Sequence, residues 1–329
     1  MASTDKPEIL FVGGMPDWFV ERLARDFTVL ALDRAKDRTA YLEEVAPRVR
    51  VIAAAGPVDR GLIEALPRLG LIAGMGAGYE RLDVAAALER GVLVTNTPGV
   101  TDECVADMAF ALLLAAGRQI VAGDRFVRSG KWLGAAYPLV PRVSGRRLGI
   151  LGLGRIGLAI ARRGEAFRMP VAYHNRHPRG DVAYKHYKNL EALAEASDYL
   201  VVACPGGPGT HHIVDAAVLK ALGPKGIVVN IARGSIIDEK ALLAALQSGA
   251  IAAAGLDVFE LEPQMDEAFH KLDNVVLMPH RGGGTFETWE DACDLVKANL
   301  SQFLKDGTVL TPVPEMQAAP RMRAAQAGG

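Results

Sequence analysis

The sequence predicts an α/β protein built from two doubly wound parallel-sheet domains, and three observations carry that expectation. Short apolar runs alternate with helix-patterned segments along most of the chain. Two consecutive long helical patterns interrupt the alternation and divide the strands into two series. A glycine fingerprint directly follows the first strand of the second series.

The first series opens with Glu8–Val12, an apolar run closed by the Gly13-Gly14 turn. Trp18–Phe27 has helical spacing. Val49–Ala54, Leu71–Gly74 and Val92–Thr95 are further short strands, separated by the helical segments Leu62–Leu66 and Val84–Arg90. Thr97-Pro98-Gly99 breaks the chain. Thr101–Ala116 and Gln119–Gly130 are the two long helices, with Asp102 and Glu103 in the first turn, where the helix dipole favours acids. Trp132–Ser144 is irregular and holds Pro138 and Pro141. The second series is Arg147–Leu151, Val171–Tyr173, Tyr199–Ala203, Ile227–Asn230, Ala252–Leu256 and Val275–Leu277, six strands that match a full doubly wound sheet. Trp289–Asp306 reads as a terminal amphipathic helix. The expected organisation is one domain from 1–99 and 286–317, a second inserted at 100–285, and a mobile tail at 318–329.

Composition narrows the function classes. A chain of 329 residues suits two domains, and 50% hydrophobic with 23% charged residues excludes general disorder. A formal net charge of -1 lacks the basic excess of a nucleic-acid binder. Cys104, Cys204 and Cys293 make neither a disulfide framework nor a CxxC zinc pair, which points to a reducing, cytoplasmic compartment. The start Met1–Pro7 lacks the order of a signal peptide, and the longest apolar run, Met108–Gly117, is too short for a bilayer and reads as a buried helix. No membrane association is expected. No close ligand cluster suggests a metal, and His211 and His212 are expected to carry no chemistry.

Gly152, Gly154 and Gly157 form GxGxxG between an apolar strand and the helix-forming run Leu158–Phe167. The first glycine permits a tight turn, the second lets backbone approach a pyrophosphate, and the third lets helix and strand pack closely. Leu153, Arg155 and Ile156 complete the turn, whose helix N-terminus offers donors to phosphate. The next strand ends His174-Asn175-Arg176-His177, without the acid that holds the ribose 2′-hydroxyl of NAD. Arg176 can pair with a 2′-phosphate, Asn175 can donate to it and His174 can contact the adenosine, so NADP(H) is favoured and NAD(H) stays possible. The alternative is a solvated basic loop.

Three later segments sit at carboxyl ends of predicted strands, where open α/β sheets build their sites. They are Val229–Gly234, Gly255–Pro263 and Met278–Gly284. With these segments the chain resembles the D-isomer-specific 2-hydroxyacid dehydrogenase family, from the Gly76-Ala77-Gly78-Tyr79 loop to the terminal helix. The resemblance implies a Rossmann dinucleotide domain inserted into a flavodoxin-like substrate domain, with a cleft that closes over nicotinamide and keto acid. It maps the catalytic residues onto Arg233, Glu262 and His280. Hydride addition leaves negative charge on the keto oxygen; a histidine supplies the proton, a carboxylate stabilises imidazolium, and an arginine holds the substrate carboxylate.

The resemblance also implies that Ala77 and Gly78 bind the substrate carboxylate beside Arg233 and His280, although a plain glycine-rich turn is the alternative. It implies that Thr101, Pro205, Thr210, Ile231, Ala232, Arg233, Asp257, His280 and Gly282 line the cofactor channel. For Thr101, helix N-capping is an equal reading. The segment Val143–Arg176 and the run Thr285-Phe286-Glu287-Thr288 are similar to NADPH-dependent glyoxylate/hydroxypyruvate reductases. Arg281 and the run Gly282-Gly283-Gly284 depart from the usual pattern, as do Arg168 and Glu80. Trp132 and Tyr137 lie where related reductases form a homodimer contact, or they anchor a loop. The rival readings are an NAD-linked member acting on 3-phosphoglycerate or 2-ketogluconate, and a dinucleotide-sensing binding protein.

Overall fold

The computed structural model describes residues 6–14 and 16–317, so the expected tail at 318–329 lies outside the described residues. The chain folds as two compact units. One comprises the chain up to Val100 joined by the segment from Phe286, and the other is Thr101–Thr285.

In the first unit the order is β1 (Glu8–Val12), α1 (Asp17–Ala24), β2 (Thr28–Ala31), α2 (Arg38–Val45), β3 (Val51–Ala54), α3 (Arg60–Ala65), β4 (Leu71–Gly74), α4 (Val84–Glu89) and β5 (Leu93–Thr95). Its parallel sheet runs β2-β1-β3-β4-β5, the flavodoxin-like doubly wound order. β3 and β4 are buried along their whole length, which is why they read as continuous apolar runs rather than alternating ones. Two elements escape the sequence reading. The four residues of β2 merge with the apolar end of the preceding helical pattern. Helix α2 buries only Val45, so it has no apolar stripe to detect; Asp37 caps it by accepting the Thr39 and Ala40 N–H groups.

The second unit begins with α5 (Asp102–Gly117) and α6 (Ile120–Arg128). Then follow β6 (Leu148–Leu151), α7 (Arg155–Ala166), β7 (Val171–His174), β8 (Lys185–His186), α8 (Leu190–Glu195), β9 (Tyr199–Val202), α9 (Ala216–Leu222), β10 (Ile227–Asn230), α10 (Glu239–Ser248), β11 (Ala253–Leu256) and β12 (Val275–Leu277). The sheet order is β12-β11-β10-β9-β6-β7-β8, so the winding reverses between β6 and β9. It has seven strands where the sequence reading finds six. The extra one, β8, is a polar Lys-His pair at the edge and leaves no apolar signal. Helix α5 buries Val105, Ala109, Leu112 and Leu113 in the core with β6, β9 and β10. Among the described residues no single helix is long and apolar enough to cross a membrane; α5 and α6 reach that length only together, across a 58° bend.

The chain returns to the first unit through α11 (Phe286–Asp306) and α12 (Pro314–Gln317). Val296, Leu300 and Phe303 of α11 pack with Ile9, Phe11, Val51 and Leu71 on one face of the first sheet. A polar relay leaves the same helix. Asn299 is fully buried; its Oδ1 accepts the Leu310 and Thr311 N–H groups at 2.9 and 3.1 Å, and its Nδ2 donates to Thr311 Oγ1 at 2.9 Å. Thr311 Oγ1 donates to Asn96 O at 2.7 Å, and Asn96 Nδ2 donates to Ala77 O at 2.7 Å. Replacing Asn299 by leucine keeps the branched shape and leaves the part-buried Leu310 and Thr311 N–H groups without their acceptor, a loss of about 0.5–1.5 kcal/mol for each bond. Asn299→Leu is therefore expected to lower the thermal midpoint of the protein, whereas an unchanged melting curve would show that the relay contributes nothing.

Candidate active site

The glycine turn is built by close approach. Gly152 leaves β6 at φ +96°, and a Cβ there would stand 2.4 Å from Cys204 N. A Cβ on Gly157 would stand 2.2 Å from Gly152 O. Both positions therefore exclude a side chain. Gly154, at the N-cap of α7, faces open space, with nothing within 4 Å of where its Cβ would be. The first-turn N–H groups of α7 have no intrahelical acceptors, so an anion at Gly154 meets unblocked donors and the positive end of the helix dipole.

The β7 side of this turn is tied to it. Leu153 N–H donates to Asn175 Oδ1 at 2.7 Å, and Leu153 O accepts from Arg179 Nη1 at 2.9 Å. Arg179 also pairs with Asp181, so this arginine belongs to the loop scaffold. His174 Nδ1 lies 2.8 Å from Tyr187 O, so this ring nitrogen is used on the sheet edge. Arg176 is exposed beside them. Arg155 is taken by Asp102, its Nε 2.7 Å from the carboxylate, while Ile156 is half-buried. Arg168, the departure noted above, sits at φ +56° just after α7, a conformation that suits glycine better.

Thr101 precedes α5 but makes no capping bond with its side chain. Its buried Oγ1 is, among the described residues, the side-chain polar atom without a partner. A buried hydroxyl left this way is what a bound group would satisfy. The N-capping reading of Thr101 is therefore corrected: the φ of -97° and ψ of -8° place it in a helical conformation that does not aim Oγ1 at the first-turn donors. The orphan hydroxyl and the open cradle at Gly154 both fit a dinucleotide.

Pro205 and Thr210 follow β9, where Thr210 Oγ1 donates to Pro205 O at 2.7 Å and closes the loop on itself. At the end of β10, Ile231 and Ala232 are buried. Asn230 locks this turn, its Oδ1 accepting Ala232 N–H at 3.1 Å and its Nδ2 donating to Arg233 O at 2.9 Å. Arg233 is half-buried, and its Nη1 donates to Ala232 O at 2.6 Å. A Cβ on the next residue, Gly234, would fall 1.9 Å from Phe259 C, so the Arg233 turn lies backbone-to-backbone against the segment that carries Glu262.

Glu262 and His280 meet directly, with Oε2 2.6 Å from Nδ1. The other carboxylate oxygen accepts Phe259 N–H at 3.0 Å, which fixes the glutamate's orientation. An ionised carboxylate only accepts, so this contact fits the tautomer with the proton on Nδ1. His280 keeps 47% of its side chain exposed. A cavity of about 360 Å³ opens here, walled by Phe259, Met265, Leu277 and Met278, with Glu262 and His280 at its edge.

Asp257, 1% exposed, holds the histidine turn. Its backbone O accepts His280 N–H at 2.8 Å, and its two carboxylate oxygens accept Arg281 and Gly282 N–H, each at 2.7 Å. Burial pushes its carboxyl above the usual range, against the pull of those two donors. Gly282 is buried, and a Cβ there would stand 2.9 Å from Asp257 Oδ2. The sequence alone did not reveal this grip, nor the roles of Asn96 and Thr97; the signal available was a polar residue directly after β5 and β11.

In the first unit, Gly76 at φ +116° opens the half-buried Ala77 and exposed Gly78. Gly76 N–H donates to Thr97 Oγ1 at 2.8 Å, and Asn96 holds Ala77 O, so this loop is fixed from β5.

The expectation that no ligand cluster exists needs correction. His211, His212 and Glu260 place one ligand atom each within 4.8 Å of one another. The separation of 48 positions from His212 to Glu260 hides this from any reading by spacing.

Removing the Asp257 carboxylate strands two backbone donors beside His280. Asp257→Ala is expected to lower turnover by at least about tenfold, because stranding donors costs about 1–3 kcal/mol each. Steady-state kinetics decide it, and a wild-type rate in a folded variant would show that the turn holds itself.

The residues 110–282 match the family model described as D-isomer specific 2-hydroxyacid dehydrogenase, NAD binding domain. A glyoxylate/hydroxypyruvate reductase A of Arabidopsis thaliana is 42% identical over 93% of this chain and 98% of its own. A 2-ketogluconate reductase of Gluconobacter oxydans is 41% identical over 94% of this chain and 99% of its own. Among solved structures, a 2-hydroxyacid dehydrogenase of Ketogulonicigenium vulgare superposes with a TM-score of 0.89 at 44% identity, covering 94% of this chain and 99% of its own. An NADPH-dependent glyoxylate/hydroxypyruvate reductase of Sinorhizobium meliloti, in complex with NADP and malonate, gives 0.86 at 42%, covering 94% and 98%. With the glycine turn, the Glu262–His280 pair and the two doubly wound sheets already in place, this chain belongs to the D-isomer specific 2-hydroxyacid dehydrogenase family.

Proposed function

We propose that this enzyme reduces a small 2-keto acid, glyoxylate or hydroxypyruvate, to the D-2-hydroxy acid with NADPH. The observation that carries the reading is the 2.6 Å Glu262–His280 contact, which leaves Nε2 to protonate an oxygen. NADPH, when bound, supplies the hydride. His280 then gives the Nε2 proton to the oxygen that gains negative charge, and Glu262 stabilises the imidazolium beforehand. Arg233 pairs with the substrate carboxylate and polarises the keto oxygen. Ala77 and Gly78 are read as further substrate-binding residues, through their backbone donors. The unit carrying these two residues is read as the substrate domain, at 1–99 with 286–317, and 100–285 as the dinucleotide domain.

Thr101, Gly152–Gly157, Pro205, Thr210, Ile231, Ala232, Asp257 and Gly282 are read as the cofactor's surroundings. The preference for NADPH rests on exposed Arg176 with no acid beside it, and on His174 and Asn175 at the same strand end. The Sinorhizobium meliloti relative bound NADP. A homodimer is supported by the exposed Ile120, Val127, Trp132, Leu133 and Leu139 of α6 and the segment after it. Three sparse free cysteines support a cytoplasmic location.

The test follows consumption of NADPH and NADH with glyoxylate, hydroxypyruvate and 2-ketogluconate. Faster turnover with NADPH is expected, and Arg176→Ala should cut kcat/KM for NADPH by about tenfold or more while sparing NADH, since a charged hydrogen bond contributes about 1.5–3 kcal/mol. A wild-type preference for NADH overturns the Arg176 reading. His280→Ala should lower kcat by about a hundredfold or more. Cofactor binding without turnover on any of the three acids would favour a dinucleotide sensor.

A further inference from the structure

Three side chains outside the hydride-transfer site converge on one point. His211 and His212 follow the short turn Pro208–Thr210, and Glu260 lies between β11 and β12. Glu260 Oε1 is 2.9 Å from His212 Nε2 and 4.0 Å from His211 Nε2. The two rings stack with centroids 3.9 Å apart and an interplanar angle of 28°.

The arrangement is anchored from both sides. His212 sits at φ +51°, a left-handed conformation that is strained in a residue with a Cβ, and its N–H donates to Ser235 O at 2.8 Å. Glu260 N–H donates to Glu239 Oε1 at 2.7 Å. The backbones that carry His212 and Glu260 are therefore fixed by partners outside the cluster.

We propose that His211, His212 and Glu260 form a binding site for a divalent transition-metal ion of the zinc, nickel or cobalt type. Two imidazoles and a carboxylate suit such ions, whereas magnesium and calcium take oxygen ligands. Bonds of about 2.0–2.1 Å around a tetrahedral ion set ligand atoms roughly 3.3 Å apart. The 2.9 and 4.0 Å separations straddle that value, and closing the site requires the stacked His211 and His212 rings to turn so that both Nε2 atoms point at one ion. The exposure of His211 leaves room for water as a further ligand. The ion would join the segment after β9 to the segment 259–262. Phe259 N–H in that second segment holds Glu262, so the site lies within the same loop as the proposed proton-transfer pair.

The test uses the full-length, metal-stripped protein without cofactor. Calorimetric titration with zinc chloride and visible spectra with cobalt chloride report stoichiometry and coordination. One ion per chain is expected, with the intense d–d bands of a four- or five-coordinate cobalt site. His211→Ala with His212→Ala, and separately Glu260→Gln, should each weaken zinc binding by at least about tenfold to a hundredfold, because even outer-shell changes cost that much. A far-ultraviolet spectrum and melting curve like the wild type show that the variants are folded. Binding that survives the double histidine substitution, or that disappears only in His280→Ala, overturns the proposal, as does the absence of binding by the wild type.

Discussion

The interaction on which the site depends is the grip of Asp257 on three successive N–H groups, those of His280, Arg281 and Gly282. His280 stands at φ +53°, where a side chain with a Cβ is strained, and such a residue persists only when its surroundings over-determine it. One aspartate does that by offering its backbone carbonyl and both carboxylate oxygens. The turn then presents the imidazole to Glu262, itself oriented by Phe259 N–H. A buried acid, a strained histidine and a buried glycine thus form one unit, and the loss of any one disturbs the other two.

The parallel sheet of the second unit explains how these pieces meet. Strands β6, β9, β10 and β11 are fully buried, so they run in register through the core and end together at one edge. Gly152, Pro205, Arg233 and Asp257 all follow those ends within a few residues. Close backbone contact does the rest. Gly152 and Gly157 let the dinucleotide turn fold onto itself, and Gly234 lets the arginine turn touch the segment of Glu262. The first unit uses a different device. Its glycine loop at 76–78 is held by a polar relay through Asn96, Thr311 and Asn299, so a buried asparagine on α11 controls a loop far from it in sequence.

Much of this was legible in the chain. The buried strands betray themselves as apolar runs, the long buried helix α5 as an apolar stretch, and the glycine turn by its spacing, because each signal is local. The elements that escaped are those that bury little: β2 with four residues, β8 with two polar ones, and α2 with Val45 alone. Their signals fell below what an apolar pattern can register, and their pairing is supplied by neighbouring strands.

Arg233, Glu262 and His280 could be named from motifs, and residue identity alone determined which chemistry they can support. The tertiary structure decided how they are held. It brought Glu262 to Nδ1 of His280 across 18 residues, set Asp257 under the histidine turn, and left Thr101 Oγ1 buried without a partner. It also brought Glu260 to the adjacent His211 and His212, from which the sequence separates it widely. The physical reason is the same throughout. Sequence determines local propensity and donor chemistry, but hydrogen-bond satisfaction in a buried site is settled only when distant strand ends arrive at one edge of a sheet.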